Sequence, residues 1–237
     1  MIRPEKAYRA TGDAVLLAAA VSARAKETVL DAGVGTGAVT LCLNARIKGL
    51  SLTGIDIQPE MTALFEQNAR LNGLTDLRAV TGDIADKNNG LSRGAFDCVV
   101  TNPPYADETC ASPDPIKDTA HRERFLSLSE WTDACLKYLR PQGRFYMIHR
   151  ADRLPEIMAV LNGKLGGITL LPVFTKPSSP AKRIILSGKK NSKTPAKILS
   201  GLVLNDENGH PTPQAEEILR HGKAFAKSPL NAAGFGI

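Results

Sequence analysis

Short apolar runs recur along this chain, and between them lie longer stretches whose apolar positions return every three or four residues. The short runs suit strands buried on both faces of a parallel sheet, and the longer stretches suit the helices that cover it. Thr28 to Asp31, centred on Val29 and Leu30, reads as a first strand, and Ala38 to Arg46 as the helix that follows. Ser51 to Ile55 and Leu77 to Thr81 read as the second and third strands. The helix between them opens at Pro59 and stops at Gly73. Cys98-Val99-Val100, preceded by Phe96 and Asp97, is a fourth buried strand. Ahead of them all, Asp13 to Val21 reads as a short, strongly apolar helix with Asp13 as its N-cap.

The second half continues the alternation. Leu126 to Leu139 reads as an amphipathic helix containing Trp131, Pro141-Gln142-Gly143 as a turn, Arg144 to His149 as the fifth strand and Asp152 to Leu161 as a helix. Ile168 to Phe174 and Arg183 to Ser187 are joined by Lys176-Pro177-Ser178-Ser179-Pro180, too short for a crossover helix, which predicts an antiparallel hairpin. Strands alternating with helices predict an α/β fold around a mostly parallel sheet. Beyond Gly188 the pattern thins to a lysine-rich stretch, an apolar patch at Ile198 to Leu204 and a helix near Gln214 to Arg220. Residues 1–188 therefore read as the folded domain and 189–237 as a basic appendage, either packed or partly disordered.

Candidate chemistry gathers at the carboxyl ends of the strands. Gly33-Val34-Gly35-Thr36-Gly37 turns the first strand into its helix, and glycines there let backbone approach a ligand closely. The spacing is Gly-x-Gly-x-Gly rather than the dinucleotide Gly-x-Gly-x-x-Gly, and Asp31 stands just ahead. An acid at that point repels a pyrophosphate and suits a ligand carrying an ammonium, such as the methionine end of S-adenosylmethionine. The second strand ends at Asp56, placed to hydrogen-bond both hydroxyls of a ribose. The third ends at Gly82-Asp83-Ile84, where an acid and a backbone N–H can meet an adenine. Three successive strand ends thus offer partners for methionine, ribose and adenine.

The fourth strand ends in Asn102-Pro103-Pro104-Tyr105. Consecutive prolines fix φ and donate no N–H, leaving the carbonyls of Asn102 and Pro103 as outward acceptors. An amide oxygen, a rigid carbonyl and the Tyr105 ring form a receptacle for a planar group with an exocyclic amine, as in adenine. The Asp-, Pro- and Thr-rich segment 106–124 that follows is long enough to serve as a substrate lid.

Charge sharpens this picture. The chain has 237 residues and a formal net charge of +6, yet residues 1–175 hold 20 Lys/Arg against 20 Asp/Glu, and 176–237 hold 10 against 4. A neutral body with a basic end suits a phosphate-backbone partner. Cys42, Cys98, Cys110 and Cys135 and the four histidines show no metal-ligand spacing, so no metal is expected. No apolar run is long enough to span a bilayer, so no membrane partner is expected, and a polar amino terminus predicts a cytoplasmic protein; a monomer is expected.

With these residues in hand, the chain resembles the bacterial tRNA(Val) adenine-N6 methyltransferase family, a class I S-adenosylmethionine-dependent group. The resemblance rests on Asp13-Ala14-Val15-Leu16-Leu17, the glycine loop, Asn102-Pro103-Pro104-Tyr105, Ile148-His149-Arg150-Ala151-Asp152-Arg153-Leu154, and Gly201-Leu202-Val203-Leu204 with Gly209. It implies a Rossmann-like seven-stranded sheet whose last strand is antiparallel. It implies a cofactor site of Asp13, Asp31, Gly33, Gly35, Gly37, Asp56, Asp83, Ile84 and Asn102, with Asn102, Pro103 and Tyr105 handling the base and a tRNA as partner. Val34 departs from the small polar residue common inside the loop. Other amino-nitrogen targets share the Asn-Pro-Pro-Tyr turn: rRNA guanine N2, adenine N6 in rRNA or DNA, and the glutamine N5 of a release factor. His149, Arg150 and Arg153 read either as tRNA contacts or as a salt-bridged strand-to-helix junction.

Overall fold

The computed structural model describes residues 12–74, 76–103 and 126–225. Its centre is β1 (Thr28–Ala32), flanked in parallel by β2 (Ser51–Asp56) and β4 (Phe96–Thr101), with β3 (Leu77–Thr81) outside β2. Beyond β4 come β5 (Leu139–Arg150), β7 (Ala181–Lys190) and β6 (Leu165–Phe174), giving the order β3-β2-β1-β4-β5-β7-β6. Strand β7 is antiparallel to both neighbours, as the short 176–180 connection requires. Two further strands, β8 (Lys197–Ile198) and β9 (Leu202–Val203), pair in parallel with the outer side of β6. Pro172 lies in β6 between these two pairings, where its missing N–H costs no ladder bond.

Helices cover both faces. On one, α1 (Gly12–Ala20) and α2 (Ala38–Arg46) meet Val29, Cys98, Val100, Tyr146 and Ile148. On the other, α4 (Leu128–Tyr138) and α5 (Leu154–Leu161) meet Leu30, Val99, Phe145 and Met147. Helix α3 (Pro59–Leu71) packs beside β2 and β3 and drives a fully buried Phe65 beneath them. All six residues of β4 are buried, which fits its apolar centre Cys98-Val99-Val100, while its polar Asp97 and Thr101 are hydrogen-bonded to Thr28 and Ala32.

Three local expectations change. Asp13 lies inside the first turn of α1 rather than ahead of it, and its carboxylate pairs with Arg183 of β7 at 3.0 Å. Pro141-Gln142-Gly143 does not separate helix from strand. β5 begins at Leu139, and these residues form a bulge across which the register jumps from Phe96↔Leu139 to Cys98↔Arg144, with Gln142 at φ 63°. Helix α4 starts later than the apolar spacing suggests, because Ser127 and Glu130 close a capping box around its first turn.

The stretch after Gly188 is packed as far as Phe225. Leu202, Ile218 of α6 (Pro213–Leu219) and Phe225 join the same buried cluster as α1, and the Phe225 N–H donates to the Ala19 carbonyl at 3.4 Å. Ile218→Ala should therefore cost about 2–4 kcal/mol, read as a lower urea midpoint with an unchanged slope.

Candidate active site

The strand order reverses between β1 and β4, and in an open α/β sheet the crevice at such a reversal is where ligands bind. The pairing Ala32↔Thr101 brings the glycine loop and the Asn102-Pro103 turn out of the sheet side by side. Gly33, Gly35 and Gly37 all have positive φ, at 74°, 52° and 89°. Two are fixed from below as well. A Cβ on Gly37 would lie 2.3 Å from the Phe65 ring, and one on Gly33 3.2 Å from the Trp131 indole. Gly35 differs, since a Cβ there would meet no described atom within 4 Å, so the loop's crest faces open space. Val34 points the other way and packs on Gly54, which accounts for an apolar residue inside the loop.

The acids take different positions. Asp31 is 2% exposed and accepts a hydrogen bond from the Thr40 hydroxyl at 2.7 Å. It lies beneath the loop rather than on its surface. Burial, opposed by the Thr40 bonds, pushes its carboxyl up to about 7. Asp56 is half-buried at the tip of β2, where one carboxylate oxygen accepts the Gly35 N–H at 2.9 Å and the other the Gln58 N–H at 3.0 Å. Asp83 accepts the Ala85 N–H at 2.8 Å, while the Ile84 carbonyl accepts from the Tyr138 hydroxyl at 3.1 Å. Asn102 is half-buried and Pro103 buried at the tip of β4. Tyr105 and the 106–124 segment lie outside the described residues. Asp13 stands at the Arg183 ion pair, on the carboxyl-end side of the sheet. At the end of β5, His149 is 4% exposed and burial lowers its pKa, Arg150 pairs with Asp152, and Arg153 with Glu156 at 2.7 Å. That junction is salt-bridged.

Residues 23–181 match the family described as "Methyltransferase domain". A tRNA1(Val) (adenine(37)-N6)-methyltransferase of Porphyromonas gingivalis is 30% identical over 187 residues, 76% of this chain and 73% of its own length. Its counterpart from Actinobacillus pleuropneumoniae serotype 7 is 29% identical and aligns over 76% of each chain. This chain belongs to that methyltransferase family. A release factor glutamine methyltransferase of Deinococcus radiodurans is 44% identical over 92 residues, 38% of this chain and 31% of the relative. Among solved structures, an Agrobacterium tumefaciens protein described as a predicted O-methyltransferase superposes with a TM-score of 0.76 at 20% identity, covering 91% of this chain and 99% of that one. It shares the fold.

The methyltransferase uses S-adenosylmethionine, and the residues at the crevice suit the parts of that molecule. Among the described residues no side chain lies over the crest at Gly35, Asp56 lies half-exposed beside it, and the next residue, Ile57, is 55% exposed as an apolar lip. A large apolar side chain left this open at a strand tip suits the face of a flat ring.

Residues that the sequence pattern does not single out complete the frame. The Trp131 indole N–H donates to the Thr101 hydroxyl at 3.0 Å, and that hydroxyl donates to the Ala32 carbonyl at 2.9 Å. This chain of bonds ties α4 to the tips of both β1 and β4, with the indole edge against Gly33. A lone tryptophan in an amphipathic helix reads as core. Only the strand register shows it standing between the two halves of the crevice.

Two outcomes follow. Because the folded state raises the Asp31 pKa above its ordinary 3.8, this group's contribution is fully present below about pH 4 and is lost as pH rises towards 7. Asp31→Asn removes that loss, so its Tm relative to wild type should climb between about pH 4 and 7 and level off above that. Trp131 is the chain's one tryptophan, so intrinsic fluorescence should change saturably on titration with S-adenosylmethionine, and Thr101→Val should alter the starting spectrum.

Proposed function

We propose that this methyltransferase transfers a methyl group to the exocyclic N6 of an adenine in RNA, at the anticodon loop of tRNA(Val). The observation that carries the reading is the Asn102-Pro103 turn at the tip of β4, one strand from the glycine loop at the tip of β1. The activity for which the relatives from two bacteria are named supports adenine as the base.

S-adenosylmethionine supplies the methyl group on a sulfonium, which is already electrophilic. The amino nitrogen is the harder partner, because its lone pair is delocalised into the ring. The Asn102 side-chain oxygen and the Pro103 carbonyl accept the two amino hydrogens, favouring a pyramidal nitrogen with its lone pair directed across the crevice. Glycines 33, 35 and 37, with Asp56, Asp83 and Ile84, hold the donor. Asp31 supports the loop from below, and Asp13 closes over the methionine end. Tyr105 stacks on a base taken out of its loop, a contact of roughly 1–3 kcal/mol that acts on affinity more than on the chemical step.

The 44% match over 92 residues to the release factor enzyme favours a second reading, in which a glutamine amide enters the same turn. Labelled S-adenosylmethionine offered to total tRNA and to release factor separates the two, and nucleoside mapping should return N6-methyladenosine. Asn102→Ala should keep donor affinity within about twofold and lower kcat by about two orders of magnitude or more. Transfer at the wild-type rate would mean that the amide does not activate the nitrogen.

A further inference from the structure

Among the described residues, positive charge is concentrated in space at the edge of the sheet farthest from the crevice. Loops and element ends at the amino ends of the parallel strands, with the carboxyl end of antiparallel β7 (residues 22–28, 47–51, 72–77, 91–97, 137–144, 162–165 and 188–193), hold eleven Lys/Arg against three acids. At the crevice end (residues 12–13, 31–37, 56–60, 81–90, 102–103, 126–130, 150–156 and 174–183), six Lys/Arg face nine acids. The Lys189–Lys193 stretch, which by sequence alone belongs to a separate tail, lies on the basic edge. Lys189 pairs with Arg144 in the sheet, six residues along β5 from Arg150, or about 20 Å from the crevice end.

The basic edge is continuous. The Lys26 N–H donates to the Gly49 carbonyl beside Lys48, the Gly94 N–H to the Lys137 carbonyl beside Arg93, and the Asn191 N–H to the Lys164 carbonyl. Some of its cations have structural duties: Arg140 pairs with Asp97, Arg144 with Glu27, and Lys164 with Asp133 one turn up α4. Lys26, Lys48, Arg93, Lys137 and Lys193 are exposed. Cations at helix carboxyl ends, Lys48 beside the C-cap of α2 among them, complement the helix dipole, yet Lys26, Arg93 and Lys193 lie in loops where that explanation does not reach. Among the described residues, the crevice end carries no excess of cations, so the attraction for a polyanion is strongest at the amino-end edge.

We propose that this amino-end edge is a second RNA-binding surface, gripping backbone phosphates of the substrate away from the nucleotide being modified. The proposal rests on the RNA reading above. It predicts that the enzyme senses the body of a folded RNA as well as its target loop, through contacts that carry no sequence information.

The test compares the wild type with Lys48→Glu/Arg93→Glu/Lys193→Glu, all exposed and outside the crevice, on full-length tRNA(Val) and on its isolated anticodon stem-loop. The expected result is a KM for full-length tRNA raised about tenfold or more, with the stem-loop KM and both kcat values unchanged. The slope of log affinity against log salt for the full-length RNA should fall by about 2, as loss of up to three phosphate contacts requires. A full-length KM within twofold of wild type, or an equal rise on both RNAs, overturns the proposal. Should the triple Glu variant fold poorly, Lys48→Gln/Arg93→Gln/Lys193→Gln must show a smaller change in the same direction, and its absence is equally fatal. If wild type methylates neither RNA, the adenine reading fails instead, and filter binding of the same RNAs still decides whether this edge binds them.

Discussion

The parallel pairing of β1 with β4 is the constraint on which this molecule's chemistry depends. Four register pairs, from Val29↔Cys98 to Ala32↔Thr101, place the end of one strand against the end of the other. Each strand then does what its next residues dictate: one turns through glycines into α2, and the other stops at proline. Strands neighbouring in a sheet lie about 5 Å apart, so a donor on the loop and an acceptor at the turn start within reach of each other without any hinge. The hydroxyl of Thr101, bonded to Ala32 and receiving from Trp131, locks that spacing. Burial of all of β4 makes the spacing costly to alter.

What could be read from the sequence follows from how local each signal is. The strands of the first half, the Gly-x-Gly-x-Gly loop and the Pro59 and Gly73 helix limits depend on neighbouring residues, and they stand where the pattern puts them. The hairpin of β6 and β7 was legible because five residues cannot hold a crossover. The bulge at Pro141-Gln142-Gly143 was not, because a Pro and a Gly between apolar runs look the same in a turn and in a strand whose partner skips residues. Asp13 looked like a cap because aspartate ahead of an apolar run usually is one. Its actual partner, Arg183, is 170 residues away. Trp131 and Phe65 shape the loop through glycines distant in sequence, and no local spacing announces such contacts.

Electrostatics shows the same division between line and space. Summed along the chain, the basic excess belongs to the last quarter. Summed in space over the described residues, it belongs to one edge assembled from loops, the basic ends of helices and the end of β7. The crevice keeps its acids, one buried and held near neutrality, the others anchored by loop amides.

The placement of Phe225, Ile218 and Leu202 against α1 also governs the order in which the molecule is made. A ribosome makes α1 long before these residues, so the cluster that α1 occupies stays incomplete until they have emerged as well. Helix α2 and strands β1, β4 and β5 cover the rest of α1 earlier, so only the face that meets Leu202, Ile218 and Phe225 waits for them.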